Sequence, residues 1–239
     1  MLISDSTARA FENVAARQRD LMQAFTPGAI PWQGDVAAPH SSDFTLDPLS
    51  VSLPADAYLV SRDDAGRLLF TRDGSLSIRD GTLVDQNGRA VLGRQNAGGA
   101  LVELRIGRVD AALGFSQGAQ IQPDGTVTYE RMTIDPRTGA REPRSVSLGR
   151  LALARFPAGT RLSTADSLHA FAPPGVAPHI GSPADGSFAA LQTFSRERSG
   201  IDIDLGLQRL EEAYTALDAL RAAGAAQGNV QKTAMDLLK

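Results

Sequence analysis

The sequence predicts a mainly β protein that carries an α-helix at each end. Turn dipeptides, Asp73-Gly74, Asp80-Gly81 and Asn87-Gly88, follow one another at seven-residue intervals. A two-residue hairpin turn needs such pairs because its central residues take positive φ. Apolar and polar residues alternate between these turns, as they do in half-buried strands. At both chain ends the apolar residues recur every three or four positions instead, which is typical of amphipathic helices.

The composition is that of a folded protein without thiol chemistry. The 239 residues are 42% hydrophobic and include no cysteine, so the chain can build a core but has neither disulfides nor thiolates. The formal net charge is −3 and the basic residues are scattered, so nucleic acid is not an expected partner. No apolar run approaches the ~20 residues that span a bilayer. Residues 1–5 lack the features of a cleaved signal peptide, which taken alone predicts a cytoplasmic protein.

The N-terminal helix is predicted within residues 1–27, and residues 28–52 are predicted to form an extended connector. Thr26-Pro27-Gly28 ends the helix because proline cannot continue the helical hydrogen-bond ladder. The connector is rich in Pro and Gly and contains the only tryptophan, Trp32. The apolar stripe of the helix comprises Phe11, Val14, Ala15, Leu21, Met22 and Phe25.

Residues 53–195 are predicted to form one all-β body of hairpins and a meander. The meander covers the turn-rich stretch 69–93. The alternation at 102–106 predicts a half-buried strand, and 145–156 is the longest β pattern of the chain. Turns are predicted at residues 123–125 and 135–139, and residues 157–183 are predicted to be irregular because Pro and Gly recur there.

The C-terminal helix is predicted within residues 196–239. Ser199 and Asp202 have the spacing of a capping box at its start. Two glycines, Gly224 and Gly228, interrupt it, and each costs ~1 kcal/mol against alanine in a helix interior. Two hypotheses stay open here, a close helix contact or a break between two helices. Residues at alternating spacings of four and three form the predicted seam of a coiled coil, namely Ile203, Leu207, Leu210, Tyr214 and Leu217.

Several of these motifs resemble the bacterial flagellar rod and hook protein family. The runs 70–76, 81–84 and 88–93 are similar to the turn-rich signature of that family. Its turn residues correspond to Asp73, Gly74, Gly81 and Gly88. Residues 197–202 are similar to the start of the family's C-terminal helix, and 232–238 to its end. The N-terminal segment keeps only Thr26-Pro27-Gly28 of the family's motif.

The resemblance implies a structural subunit without cofactor or enzymatic activity, most similar to the proximal-rod type. In this family the terminal helices flank a β-body, pair as a coiled coil and contact neighbouring subunits. The subunits pass through the flagellar export apparatus without a cleaved signal peptide and polymerise into the periplasmic rod of the basal body. The implied partners are copies of the chain and other rod or hook subunits. The expected assembly interface comprises Phe11, Val14, Leu21, Ile203, Leu207, Leu210, Tyr214 and Leu217.

No catalytic or metal site is expected from the sequence. The histidines His40, His169 and His179 lie far apart and outside any metal-binding pattern, so all three are predicted in surface loops. The alternative function is a monomeric secreted or periplasmic β-rich binding module with the same fold. In that case the terminal helices would pack on the β-body of a monomer.

Overall fold

The fold is seen in a computed structural model, which describes residues 2–29, 41–96, 98–107, 110, 118–134, 137, 139–166 and 168–237. The chain forms two compact units. One unit combines Met1–Phe25 with Ile201–Lys239, and the other is Thr26–Gly200. Trp32 and most of the predicted connector lie outside the described residues. The predicted limits of connector and body, 28–52 and 53–195, therefore stay a prediction.

The middle unit is built from short strands, seventeen of them within the described residues. They are β1 (Ser42–Phe44), β2 (Val51–Ser52), β3 (Tyr58–Arg62), β4 (Leu68–Thr71), β5 (Ser77–Arg79), β6 (Thr82–Val84), β7 (Leu92–Arg94), β8 (Val102–Glu103), β9 (Gln120–Ile121), β10 (Thr126–Ile134), β11 (Arg141–Leu151), β12 (Leu153–Arg155), β13 (Ser163–Thr164), β14 (His169–Phe171), β15 (His179–Gly181), β16 (Gln192–Thr193) and β17 (Ser195–Glu197). The predicted mainly β body is confirmed.

The described strands pair in antiparallel fashion. One sheet has the order β8-β7-β11-β10-β9, and a second has the order β13-β14-β4-β3-β12-β15. Three further pairs are β1-β17, β16-β2 and β5-β6. The predicted long strand at 145–156 is divided at Ala152, so that β11 lies in the first sheet and β12 in the second.

The core of the body covers both faces of the central strands. Leu59 belongs to the larger apolar cluster, whereas the next residue, Val60, belongs to a second cluster, and both are fully buried. Successive residues of a strand point to opposite faces, so β3 is covered on both sides. In the second cluster the ring of Phe70 packs edge-on against Phe156 with centroids 4.8 Å apart. These contacts make the body a rigid support.

The turn-rich segment contains a hairpin where one was predicted. Asp80 and Gly81 have φ of 50° and 74° and join β5 to β6. Gly88 has φ of 79°, and its N–H donates to the Asp85 carbonyl at 3.0 Å. Positive φ at both central residues is what the Asp-Gly dipeptide predicts, so the two-residue turn at Asp80-Gly81 is confirmed. The chain also turns at Asn87-Gly88, but there only the glycine has a positive φ, so the predicted two-residue hairpin turn is wrong at this position.

The third predicted turn, at Asp73-Gly74, is wrong. Gly74 lacks a positive φ, and β4 pairs with β3 and β14 rather than with β5. A Cβ atom at Gly74 would lie 1.8 Å from the Val51 carbonyl oxygen. Glycine is required here because another backbone passes too close for any side chain.

The unit made from the chain ends consists of helix α1 (Leu2–Met22) and helix α2 (Ile203–Leu237). The Asp202 carboxylate accepts from the Leu205 N–H at 3.1 Å, so Asp202 caps α2. The helix runs without interruption through Gly224 and Gly228, so the hypothesis of a break is wrong. A Cβ at Gly228 would meet nothing within 4 Å among the described residues, so no contact within the chain requires this glycine. The hypothesis of a close helix contact in an assembly stays a prediction.

The predicted pairing of the two ends as a coiled coil is wrong. A coiled coil buries a seam that is sustained over three or four heptads. Three positions of the predicted seam, Ile203, Leu207 and Tyr214, keep exposed fractions of 38%, 53% and 42%. The buried contact is a short cluster around Ala213 and Leu217. The small alanine, which the pattern of large residues omits, lets the helices approach at this point.

Among the described residues, no helix combines the length and the apolar character that a membrane crossing requires.

Candidate assembly surface

The two terminal helices contact each other in antiparallel order. Near the end of α1, the Leu21 side chain lies beside Gly206 at the start of α2, where a Cβ would come within 2.9 Å of it. Gln18 donates to the Tyr214 hydroxyl at 2.5 Å. The helices thus hold each other through side chains from opposite ends of the sequence.

The inner face of this helical unit is small. Val14, Ala213 and Leu217 are buried, with exposed fractions of 6%, 6% and 2%, and Ala10 and Leu210 pack against them. Val14, Leu210 and Leu217 were predicted to contact neighbouring subunits. In this chain these three residues join the two helices to each other, and their contact with neighbouring subunits stays a prediction.

The helical unit exposes large apolar side chains on both helices. Phe11 keeps 48% of its surface exposed, and Met22 and Phe25 keep 82% and 86%. On α2 the exposed apolar residues are Ile203, Leu207, Tyr214 and, farther along, Val230. The exposed residues that also belong to the predicted interface are Phe11, Ile203, Leu207 and Tyr214, and they make up the candidate assembly surface.

The signature turn residue Asp73 has a structural role in the body. Its fully buried carboxylate accepts from the Ser75 N–H at 2.9 Å and from the Gln86 side chain at 3.0 Å. Burial raises the pKa of Asp73 above its ordinary value. The Asp73 N–H in turn donates to the Thr71 hydroxyl at 3.0 Å. These contacts fix the chain where it leaves β4.

Arg72, in the same signature, makes a buried ion pair with Glu197. Its guanidinium donates to both carboxylate oxygens of Glu197 at 2.6 and 2.8 Å, and the side chains are 8% and 5% exposed. It also donates to the carbonyls of Pro54, Ala55 and Ala57. The sequence places Arg72 and Glu197 in separate motifs 125 residues apart, and no local pattern pairs them.

His169 contradicts its predicted surface position, because its side chain is completely buried between two aspartates. Nε2 lies 2.8 Å from an Asp85 carboxylate oxygen, and Nδ1 lies 2.8 Å from an Asp166 oxygen. Burial alone would lower the pKa of His169, but the hydrogen bonds to Asp166 and Asp85 outweigh it and raise this pKa to about 9.

Asp166, one of the two partners of His169, also contacts a second cation. Burial alone would raise the pKa of Asp166, but the hydrogen bond from His169 outweighs it and lowers this pKa to about 2. Arg89 adds a second cation 2.7 Å from Asp166. Through its two ring nitrogens His169 joins Asp166, before β14, to Asp85, after β6.

The other two histidines of the chain are His40 and His179. His179 is exposed, but it lies in strand β15 and not in the predicted loop. His40 lies outside the described residues. Within the described ranges no group of three or more His, Cys, Asp or Glu side chains is arranged to hold a metal ion.

Neither a scan of protein-family models nor a search of curated proteins finds a match to this chain. The resemblance to flagellar rod and hook proteins therefore rests on the quoted motifs.

Proposed function

We propose that this protein is a structural subunit of the bacterial flagellar basal-body rod, which polymerises through its terminal helices into the axial shaft. One observation carries the proposal. The two ends of the chain form a helical unit of their own, and this unit leaves Phe11, Met22, Leu207 and Tyr214 exposed. The signature motifs supply the flagellar assignment.

The size of the exposed side chains supports an assembly role. Fully burying a Leu, Phe or Met side chain stabilises a contact by about 1.5–3 kcal/mol. Burying several such residues of one helical unit would offset part of the free-energy cost of the translational and rotational freedom that subunits lose on association. A short helix pair gains most of its stability from packing, so burial against neighbours also stabilises the helices themselves.

The β-body supports the same proposal as a rigid spacer. Its central strands are covered on both faces, and the Arg72–Glu197 ion pair ties its last strand, β17, to the end of β4. Two exposed apolar residues on the body, Phe44 and Leu46 with 78% and 85% of their surface accessible, are candidates for lateral contacts between subunits.

Leu207→Asp tests the proposal, because Leu207 is exposed and its replacement leaves the contact between α1 and α2 intact. In a bacterium that carries the gene, the variant should be expressed and exported, yet be at least tenfold depleted from purified basal bodies. Motility should be lost with it. Ala219→Asp is the matched control, since it adds the same charge at an exposed position of α2 outside the apolar stripe.

Two outcomes would contradict the proposal. Wild-type protein that is absent from purified basal bodies would remove the flagellar assignment and favour the secreted or periplasmic binding module. Leu207→Asp protein that assembles as well as the Ala219→Asp control would remove the assembly surface, even if the protein belongs to the rod.

A further inference from the structure

The outer part of the β10–β11 hairpin forms an arm of two strands. Strand β9 pairs with β10 only at residues 127–128, and β7 pairs with β11 only at residues 150–151. Farther out, residues 130–134 and 141–145 pair with each other and with no other described strand. A two-stranded ribbon on its own is marginally stable in water. An additional strand along either edge would therefore stabilise this arm.

The two edges of the arm differ in how well they are protected against further pairing. The β11 edge carries Pro143, which has no N–H to donate, between the exposed charges of Glu142 and Arg144. Proline and charged residues are common protections of exposed strand edges. The outer part of β10 has no proline and instead exposes Met132 and Ile134, with exposed fractions of 47% and 66%. The β10 edge is therefore the one open to strand addition.

The sequence of this edge is complementary to itself when two copies run antiparallel. If Thr133 of one copy faces Thr133 of the other, then Met132 of each copy faces Ile134 of the other. Matched cross-strand pairs, among them threonine pairs, are what stabilises antiparallel ladders. A pair centred on Met132 would instead place Ile134 opposite the Glu130 carboxylate. The pattern of side chains therefore selects the register centred on Thr133.

We propose that two copies of this protein pair through the outer part of β10, antiparallel and with Thr133 at the centre, so that their arms form a four-stranded sheet. Such a contact uses the same surface on both copies and closes on itself. It does not extend a shaft, so the pair is a dimer of the free protein, outside any rod. The inference depends neither on the terminal helices nor on the flagellar assignment.

Cross-linking of single-cysteine variants tests the register, because the natural chain has no cysteine. In the proposed pair the two Thr133 Cα atoms lie about 4.5–5.5 Å apart, a separation that a disulfide can bridge. Purified full-length Thr133→Cys protein should therefore form a covalent dimer under mild oxidation. Met132→Cys protein should do so at least tenfold more slowly, because diagonal positions of a ladder lie about 7–8 Å apart.

Two further variants check the partners and the edge. Met132→Cys and Ile134→Cys proteins, once mixed, should form the mixed dimer about as fast as Thr133→Cys protein dimerises, because these positions face each other in the proposed register. Ile134→Lys, added to the Thr133→Cys protein, should slow cross-linking at least tenfold, since it replaces the apolar partner of Met132 by a charge. Glu142→Lys, an exposed change on β11, is the matched control and should leave the rate unchanged.

Three results would overturn the inference. They are Thr133→Cys protein that dimerises no faster than Met132→Cys protein, a mixture that forms no mixed dimer, and cross-linking that Ile134→Lys leaves as fast as Glu142→Lys does. Near-UV circular dichroism of each sample establishes that the variants are folded. None of these results bears on the incorporation of Leu207→Asp into basal bodies, so the two proposals can fail separately.

Discussion

Arg72 shows how one side chain joins distant parts of the chain. Its planar guanidinium binds both oxygens of Glu197 and reaches the carbonyls of Pro54, Ala55 and Ala57. Lysine cannot reproduce this arrangement, because a single ammonium lacks the fixed fork of donors. The contacts of Arg72 therefore explain why an arginine stands at this position of the signature: it holds segments of the β-body together.

Replacing Arg72 should destabilise the body strongly. Arg72→Met leaves the Glu197 carboxylate buried without its cation, and removing one partner of a buried pair costs about 3–5 kcal/mol. Urea unfolding followed by near-UV circular dichroism measures the loss. Arg198→Met is the control, because the ion pair of Arg198 with Asp43 is largely exposed, with 62% and 58% of the side chains accessible. A loss below about 1 kcal/mol in Arg72→Met would show that the pair contributes little.

His169 should make the stability of the body depend on pH. The pKa of His169 is raised to about 9 in the folded protein, against an ordinary value of 6.5. The folded state therefore binds more protons than the unfolded state between these values, and stability falls as the pH rises. The contribution is fully present below about pH 6.5 and is lost as the pH passes about 9.

Urea unfolding at a series of pH values measures this effect. Between pH 6.5 and 9.5 the free energy of unfolding of the wild type should fall by on the order of 1–3 kcal/mol. His169→Gln should remove this decline, whereas His179→Gln, at an exposed histidine, should keep it. A constant difference between wild type and His169→Gln across the window would show that His169 does not titrate as described.

At the level of single turns, the sequence predicted a turn correctly where the turn residues themselves determine the backbone conformation. Asp80-Gly81 was predictable because the two residues themselves adopt the positive φ of the turn. Asp73-Gly74 looks the same in sequence, but β4 pairs with β14, which lies far along the chain. The pairing of strands that are distant in sequence overrides the local preference for a turn. That pairing cannot be read from the dipeptide itself.

The helices show the same limit. The spacing of large apolar residues correctly indicated α-helices at both ends and placed Val14, Leu210 and Leu217 on the apolar stripes, but it missed Ala213 and included residues that stay exposed. Ala213 packs against Val14, while Leu207 and Tyr214 remain outside. A pattern that counts large side chains overlooks small ones, although a small residue is what allows two helix backbones to approach.

Two substitutions in α2 distinguish the buried from the exposed residues. Leu217→Ala opens a cavity in the contact between the helices and should cost about 2–5 kcal/mol. Leu207→Ala should change stability by less than about 0.5 kcal/mol. Thermal unfolding followed by circular dichroism at the helical band compares them. If Leu207→Ala costs as much as Leu217→Ala, the described contact between α1 and α2 is wrong.

At the scale of the whole molecule, the order of segments was predictable and the partners of the helices were not. The sequence indicated a β-rich middle with a helix at each end, and the two compact units agree with this order. Which apolar residues of the helical unit stay exposed became clear only from the structure. A contact between unlike surfaces of successive subunits builds a filament rather than a closed pair, as a rod subunit requires.

Photo-crosslinking from position 207 tests the central claim most directly. A photo-reactive phenylalanine derivative replaces Leu207 in one strain and Ala219 in another, and the cells are irradiated after their flagella have assembled. If Leu207 contacts a neighbouring subunit, position 207 should give a covalent adduct with a second polypeptide of the basal body, and position 219 should give little or none. Irradiated protein that stays monomeric at position 207, or that forms equal adducts from both positions, would contradict it.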